Sequence, residues 1–235
     1  MTGTTDWLDR IKLKVKNYPK LYQIVIDVIS PVYGKSNISY KIIKKYVDIE
    51  NSITLNIGSG PFRLDKNILN VDITPYNNVD VIADGSNLPF KNNSVDAIIN
   101  VVILEHVPNP ECVVNEMYRV LKNGGIIYTV VPFIQGYHAS PYDYKRWTSS
   151  GVSNLHNNFT MIESGVGGGP TSGFVWILTE WLALLFSFRI IPLYKLLFIF
   201  FTLLLWPIKF LDVFLIDHPM AKNIASNFYY LGMKK

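Results

Sequence analysis

In Ile53-Thr54-Leu55-Asn56-Ile57-Gly58-Ser59-Gly60, a short apolar run stops at a Gly-x-Gly turn. A run this short, bounded by glycine, reads as a buried strand rather than a helix. Glycine directly after a strand admits positive φ. It also lets the backbone come close to a ligand at the carboxyl edge of a parallel sheet. Alone, the turn does not separate one nucleotide ligand from another. A dinucleotide fingerprint needs a third glycine, and Arg63 stands there, which disfavours a pyrophosphate site for NAD.

Further runs follow outward from the turn. Leu69–Ile73, Val79–Ala83 and Val95–Val102 read as strands. A helix is predicted from Asn109, with Asn109 as cap, Pro110 at its first position and Glu111 in its first turn. Val113, Val114, Met117, Val120 and Leu121 fall on one face, and Gly124-Gly125 is expected to close it. Ile126–Val131 is the next strand, stopped by Pro132. Thr148–Leu155 reads as a helix, and Phe159–Glu163 and Ser226–Met233 as strands. Strands separated by helices mean a parallel sheet with crossover connections.

Asp72 ends the second strand and Asp84-Gly85 ends the third. A carboxylate at the first of these places can accept hydrogen bonds from both hydroxyls of a ribose, or cap a turn. Two acids at consecutive strand ends, after a glycine turn, favour the ligand reading.

In these residues the chain resembles the class I S-adenosylmethionine-dependent methyltransferases, in particular the type-11 domain group. Leu55–Gly60 is similar to their first motif, with Asn56 where many members carry Asp or Glu. Val71-Asp72 is similar to the ribose-binding second motif, and Ala83–Phe90 to the third, whose Asp reads adenine. Asn93–Ile99 with Leu104–Pro108 resembles the fourth region, and Glu116–Gly125 the helix and turn after it. The resemblance implies an α/β fold: a Rossmann-like, seven-stranded, mostly parallel sheet with helices on both faces. It implies S-adenosyl-L-methionine as cofactor. The residues expected to bind it are Asn56, Gly58, Ser59, Gly60, Asp72 and Ile73, then Asp84, Gly85, Asn100 and Glu105. Glu105-His106 falls beside the methionine end of the cofactor, or is a capped helix start with a surface histidine.

The loop His138–Thr148 follows the fifth strand, at the edge where acceptors bind in such sheets. Its Pro141-x-Asp143-Tyr144-x-Arg146-Trp147-Thr148 pattern resembles a subgroup associated with glycan and cell-surface biosynthesis. His138, Asp143 or Tyr144 is a candidate proton acceptor, and Arg146 a candidate anion clamp. Alternatively Thr148 caps the next helix and Asp143 pairs locally with Arg146. No Cys, His or carboxylate set has metal-ligand spacing along the chain, so no metal is expected.

The 235 residues carry a net charge of +4 and one cysteine, Cys112. One cysteine forms no intrachain disulfide, which suits a reducing compartment. No basic run is interleaved with aromatics, so nucleic acid is a poor fit as partner. The polar start, Met1–Asp9, lacks the apolar core of a secretory signal. Residues 1–50 form a basic helical segment, either packed on the domain or lying at a membrane interface.

Phe174–Phe188 and Leu196–Trp206 are dense apolar blocks, each shorter than the roughly twenty residues of a bilayer span. If the last strand rejoins the sheet, the chain must return to the side it left. A helical hairpin over 173–216, dipping into one leaflet, satisfies both conditions. Trp176, Trp181 and Trp206 would lie at the interface, and Lys195 and Lys209 would reach headgroups. The alternative is a subdomain or dimer interface. The S-adenosylmethionine-binding domain then comprises 51–172 and 222–235. The expected activity is O-methylation of a lipid-linked or glycan-precursor acceptor on the cytoplasmic side of a membrane. A quinone-type lipid acceptor and a non-catalytic protein retaining the fold are the alternatives.

Overall fold

The computed structural model describes Ser30, Val32 and residues 38–235. Most of the basic N-terminal segment lies outside the described residues; its last part forms the short helix α1 (Ile38–Ile43). One seven-stranded sheet follows: β1 (Thr54–Ile57), β2 (Ile68–Asp72), β3 (Val81–Ile82), β4 (Val95–Val101), β5 (Leu121–Pro132), β6 (Phe159–Gly168) and β7 (Asn227–Lys234). Its order is β3-β2-β1-β4-β5-β7-β6. The first five strands pair in parallel, and β7 runs antiparallel between β5 and β6. Chain order therefore reverses between β1 and β4. In open α/β sheets the crevice outside the carboxyl ends at such a switch point is where ligands bind.

Strand alternation divides the core in two. Leu55, Ile57, Ile98, Ile127 and Val131 face α2 (Pro110–Val120) and α3 (Ser149–Leu155), together with Val113, Met117, Val120 and Val152. Ala97, Ile99, Ile126, Tyr128 and Val130 face the other way, onto Ile43 of α1 and Ile49. Covering both faces is what a parallel sheet requires.

Local details depart from the expectations. The Asn109 side chain makes no capping bond; instead its carbonyl accepts Cys112 N–H at 3.1 Å. Helix α2 stops at Val120, ahead of Gly124-Gly125. Leu121 already lies opposite Val95 in the sheet, and the register shifts before Ile126 meets Ala97. Burial of Leu121 in the core favours strand geometry at that point. Strand β3 keeps only two residues, while β6 runs five residues beyond Glu163, held by β7. Thr148 does cap its helix, accepting Gly151 N–H at 3.1 Å.

The apolar insertion is a helical hairpin of α4 (Pro170–Phe186) and α5 (Ile191–Leu205). Tyr194 donates to Glu180 across it, and Phe186 packs on Phe201. A 3-10 turn joins α5 to α6 (Asp212–Leu215), so the run Ile191–Leu215 has 25 residues, long enough to cross a membrane by length and composition. The run takes in Pro192 and Lys195, which precede the block Leu196–Trp206, and Lys209 and Asp212, which follow it. Lys209 and Asp212 are both buried. Asp212 caps α4, accepting Thr171 N–H at 2.7 Å and Ser172 N–H at 2.9 Å. Lys209, expected to reach headgroups, donates to the Ser30 carbonyl at 2.8 Å.

Candidate active site

The turn after β1 has the conformation its glycines allow. Gly58 has φ 68° and Gly60 has φ 56°. A Cβ on Gly58 would collide with Ile103, whereas one on Gly60 would meet nothing, so the Gly60 backbone is open. Gly58 N–H donates to the Val71 carbonyl at 2.8 Å, tying the turn to β2. Asp72 completes it. One carboxylate oxygen accepts Gly60 N–H and the other Thr74 N–H, each at 2.8 Å. Each oxygen keeps a second lone pair for a ligand hydroxyl. Ser59 is buried beside the turn, and Ile73 is 67% exposed just past β2.

Asp84 is exposed at the end of β3. One of its oxygens accepts both Ser86 N–H and Ser86 Oγ–H at 2.8 Å, and Gly85 packs its backbone beside Val113. This loop is locked from α2. Glu116 accepts Leu88 N–H at 2.7 Å, and Arg119 donates to Glu116 and to the Phe90 and Leu88 carbonyls. The open turn, the acid at the β2 end and the exposed acid at the β3 end suit a nucleoside on this edge.

Two expected cofactor residues turn elsewhere. Asn56 is buried and donates to Asn70 Oδ1 at 3.1 Å. Asn100 is buried under α2 and donates to Thr129 Oγ1 at 2.7 Å. Thr129 in turn contacts His156 Nε2 at 3.0 Å, and His156 Nδ1 donates to the Val152 carbonyl at 3.0 Å. These side chains stitch the core and do not line the crevice. Burial depresses the His156 pKa to about 4, partly opposed by the Val152 carbonyl.

The acceptor side is built by Leu104–His106, a 3-10 turn after β4, and by the loop after β5. Glu105 is fully buried, and neither carboxylate oxygen has a hydrogen-bond partner. His138 Nε2 lies 3.5 Å from Glu105 Oε1, and His106 Nε2 lies 3.8 Å from it. The two imidazoles meet edge to face at 5.3 Å. Each uses its other nitrogen on a backbone carbonyl: His106 Nδ1 on Tyr142 at 2.7 Å, His138 Nδ1 on Gly136 at 2.9 Å. Burial pushes the His138 pKa down, but Glu105, the Gly136 carbonyl and Asp143 outweigh it, and the net shift is upward.

Asp143 and Arg146 hold the loop. Arg146 grips both carboxylate oxygens and donates to the Gly136 carbonyl at 3.0 Å. Asp143 also accepts His138 N–H at 2.9 Å. Burial raises the Asp143 pKa, yet Arg146 and the His138 amide bring it down to about 2. Arg146 is thus committed to Asp143, as the local-pairing alternative held. Tyr144 offers its backbone N–H to the Glu105 carbonyl at 2.7 Å, and its ring is exposed beside Tyr142. Trp176, expected at a membrane interface, packs on the His138 ring at 5.3 Å and against Gly136. The apolar hairpin therefore walls the same site. Sequence reading missed Trp176 in this role because it follows the loop by nearly thirty residues.

Comparison with known proteins agrees with this architecture. Residues 59–129 match the family model described as "Methyltransferase domain". A ubiquinone/menaquinone biosynthesis C-methyltransferase from Rickettsia prowazekii (strain Madrid E) is 29% identical over 126 residues, 51% of this chain and 47% of that protein. A chloroplastic 2-methyl-6-phytyl-1,4-hydroquinone methyltransferase from Oryza sativa subsp. japonica is 26% identical over 141 residues, 60% of this chain and 41% of that protein. The match thus spans less than half of each of these relatives. The phosphoethanolamine N-methyltransferase 2 of Haemonchus contortus, solved with S-adenosyl-L-methionine, shares the fold with a TM-score of 0.55 and 16% identity, over 100% of this chain and 60% of that one. Residues 59–129 thus form a methyltransferase domain, and the chain has the fold of the S-adenosylmethionine-dependent methyltransferases.

Proposed function

We propose that the chain O-methylates a lipophilic acceptor, lipid-linked or a glycan precursor, at the cytoplasmic face of a membrane. The observation that carries this reading is the contact between Trp176 of the apolar hairpin and His138 of the acceptor loop. It joins the only large exposed apolar element among the described residues to the buried polar cluster at the switch point. Phe174, Trp181, Leu184, Phe200 and Phe214 are all exposed on or just after this hairpin. An apolar patch of this extent needs a covering partner, and lipid suits a hairpin of this length.

The Gly58–Gly60 turn and Asp72 would hold the ribose, Asp84 the adenine, with Ile73 as an apolar contact. The bound cofactor supplies an activated methyl group on a sulfonium, so the chain's work is positioning and proton control. Trp176 and the buried Leu104–His106 turn exclude water from the acceptor side. Glu105, His106 and His138 offer acceptor atoms where a hydroxyl would lose its proton. Asp143 and Arg146 position His138 through its amide and the Gly136 carbonyl.

A second reading, methylation of a ring carbon of a quinol lipid, is favoured by the quinone and hydroquinone methyltransferase relatives. The test is incubation of the purified chain with methyl-labelled cofactor and a membrane lipid extract. A labelled lipid whose methyl group is lost on ether cleavage supports O-transfer. A label resistant to it supports the quinol reading, and absence of any labelled lipid contradicts both.

A further inference from the structure

Three ligand-type atoms converge at the switch point. Glu105 contributes a carboxylate oxygen, and His106 and His138 contribute their Nε2 atoms, all within 4.8 Å of one another. Glu105 is fully buried with both oxygens unpartnered, and His138 Nε2 is buried and unpartnered as well. The tautomers are fixed from behind. A carbonyl can only accept, so Tyr142 at 2.7 Å holds the proton on His106 Nδ1, and Gly136 at 2.9 Å holds it on His138 Nδ1. Arg146 approaches His138 Nδ1 only at 3.4 Å and has better acceptors in Asp143 and Gly136. In the neutral imidazoles both Nε2 lone pairs therefore face the carboxylate. The buried carboxylate needs positive charge beside it, supplied by a proton on an Nε2 atom or by a metal ion held among the three.

We propose that Glu105, His106 and His138 form a three-ligand site for a divalent transition metal of the zinc class. Two histidines and a carboxylate with an open fourth position are the donor set of catalytic zinc, and histidine ligands ordinarily give their second N–H to a carbonyl or carboxylate, as both do here. The spacing fits: two ligand atoms about 2.1 Å from a tetrahedral zinc lie roughly 3.4 Å apart. The Glu105 oxygen lies 3.5 Å from one imidazole nitrogen and 3.8 Å from the other. Chain spacing hid the set, because thirty-two residues separate His106 from His138. Metal binding is independent of methyl transfer. Its role rests on the proposed function: the acceptor hydroxyl takes the open position, its O–H bond breaks, and the proton leaves to water. The oxygen that remains bound then attacks the methyl carbon of the cofactor, forming the O–C bond as the sulfonium S–C bond breaks and S-adenosylhomocysteine leaves.

The test is calorimetric titration of the chelator-treated full chain, in detergent, with zinc chloride, and with cobalt chloride followed by visible absorption. The expected result is one ion per chain, an intense tetrahedral cobalt spectrum, and at least about tenfold weaker binding in Glu105→Gln, His106→Ala and His138→Ala. An unchanged circular dichroism spectrum and a cooperative thermal transition serve as the folding controls for the three variants. No stoichiometric zinc or cobalt binding by a chain that binds S-adenosylmethionine overturns the metal site, as does zinc affinity unchanged in all three variants. Zinc binding without S-adenosylmethionine binding leaves the metal site standing and overturns the methyl-transfer reading.

Discussion

Asp72 Oδ2 accepts the Gly60 amide proton at 2.8 Å, so the acid that ends β2 fixes the glycine turn that ends β1. Ligand contact and scaffold are one feature here, and the two glycines share the burden unequally. Gly60→Ala would carry only the strain of a positive φ, about 1 kcal/mol, because its Cβ meets open space. Gly58→Ala adds a collision with Ile103, two residues before Glu105. Chemical denaturation should show Gly58→Ala as the more destabilising by about 1–3 kcal/mol. Cofactor titration should show Gly60→Ala weakening binding with little loss of stability.

His156 makes folding stability depend on pH. It is buried neutral, with its pKa lowered to about 4 from the ordinary 6.5. Above pH 6.5 neither folded nor unfolded chain protonates it, and its neutral packing is fully available. As pH falls from 6.5 toward 4 the unfolded state takes up the proton first. Stability is lost across that window, by about 3 kcal/mol at most. Urea unfolding at pH 7 and pH 4.5 measures the slope, which should shrink in His156→Gln.

The Asp143–Arg146 pair gives a second, separable effect. The Asp143 side chain is 1% exposed, so Arg146→Ala leaves a buried carboxylate without its partner. A cost of about 3 kcal/mol is expected. Arg146→Lys should restore only part of it, because an ammonium cannot span both carboxylate oxygens and the Gly136 carbonyl as the guanidinium does. Denaturant midpoints of the three proteins check this order.

Most of the sheet was legible in the sequence, because each buried strand is a short apolar run bounded by turn residues. Gly58, Gly60, Asp72 and Asp84 were legible as a series at successive strand ends. Asn100, expected as a ligand contact, turns its side chain into the core. Strand parity already held the answer, since Asn100 shares a face with Ile98, under α2. The Glu105–His106–His138 cluster left no trace in local spacing, because the loop after β5 alone brings His138 to the end of β4. Lys209 looked like a headgroup contact because its burial depends on the distant Ser30 carbonyl.

Membrane contact through the hairpin predicts an effect of exposed charges. Leu184 is 64% exposed and Phe214 80% exposed, so glutamate at either place disturbs no core packing. Leu184→Glu with Phe214→Glu should shift the chain from the floating to the soluble fraction in liposome flotation, with an unchanged circular dichroism spectrum. Equal flotation of variant and wild type would contradict the membrane role.

The central claim is that the crevice outside β1 and β4 binds S-adenosylmethionine, with Asp72 joining turn and ligand. Isothermal titration of the folded chain with S-adenosylmethionine tests it most directly. The expected result is saturable binding at one site, weakened at least about tenfold by Asp72→Ala, with NAD producing no heat of binding. No binding by folded wild type, or binding untouched by Asp72→Ala, would contradict it.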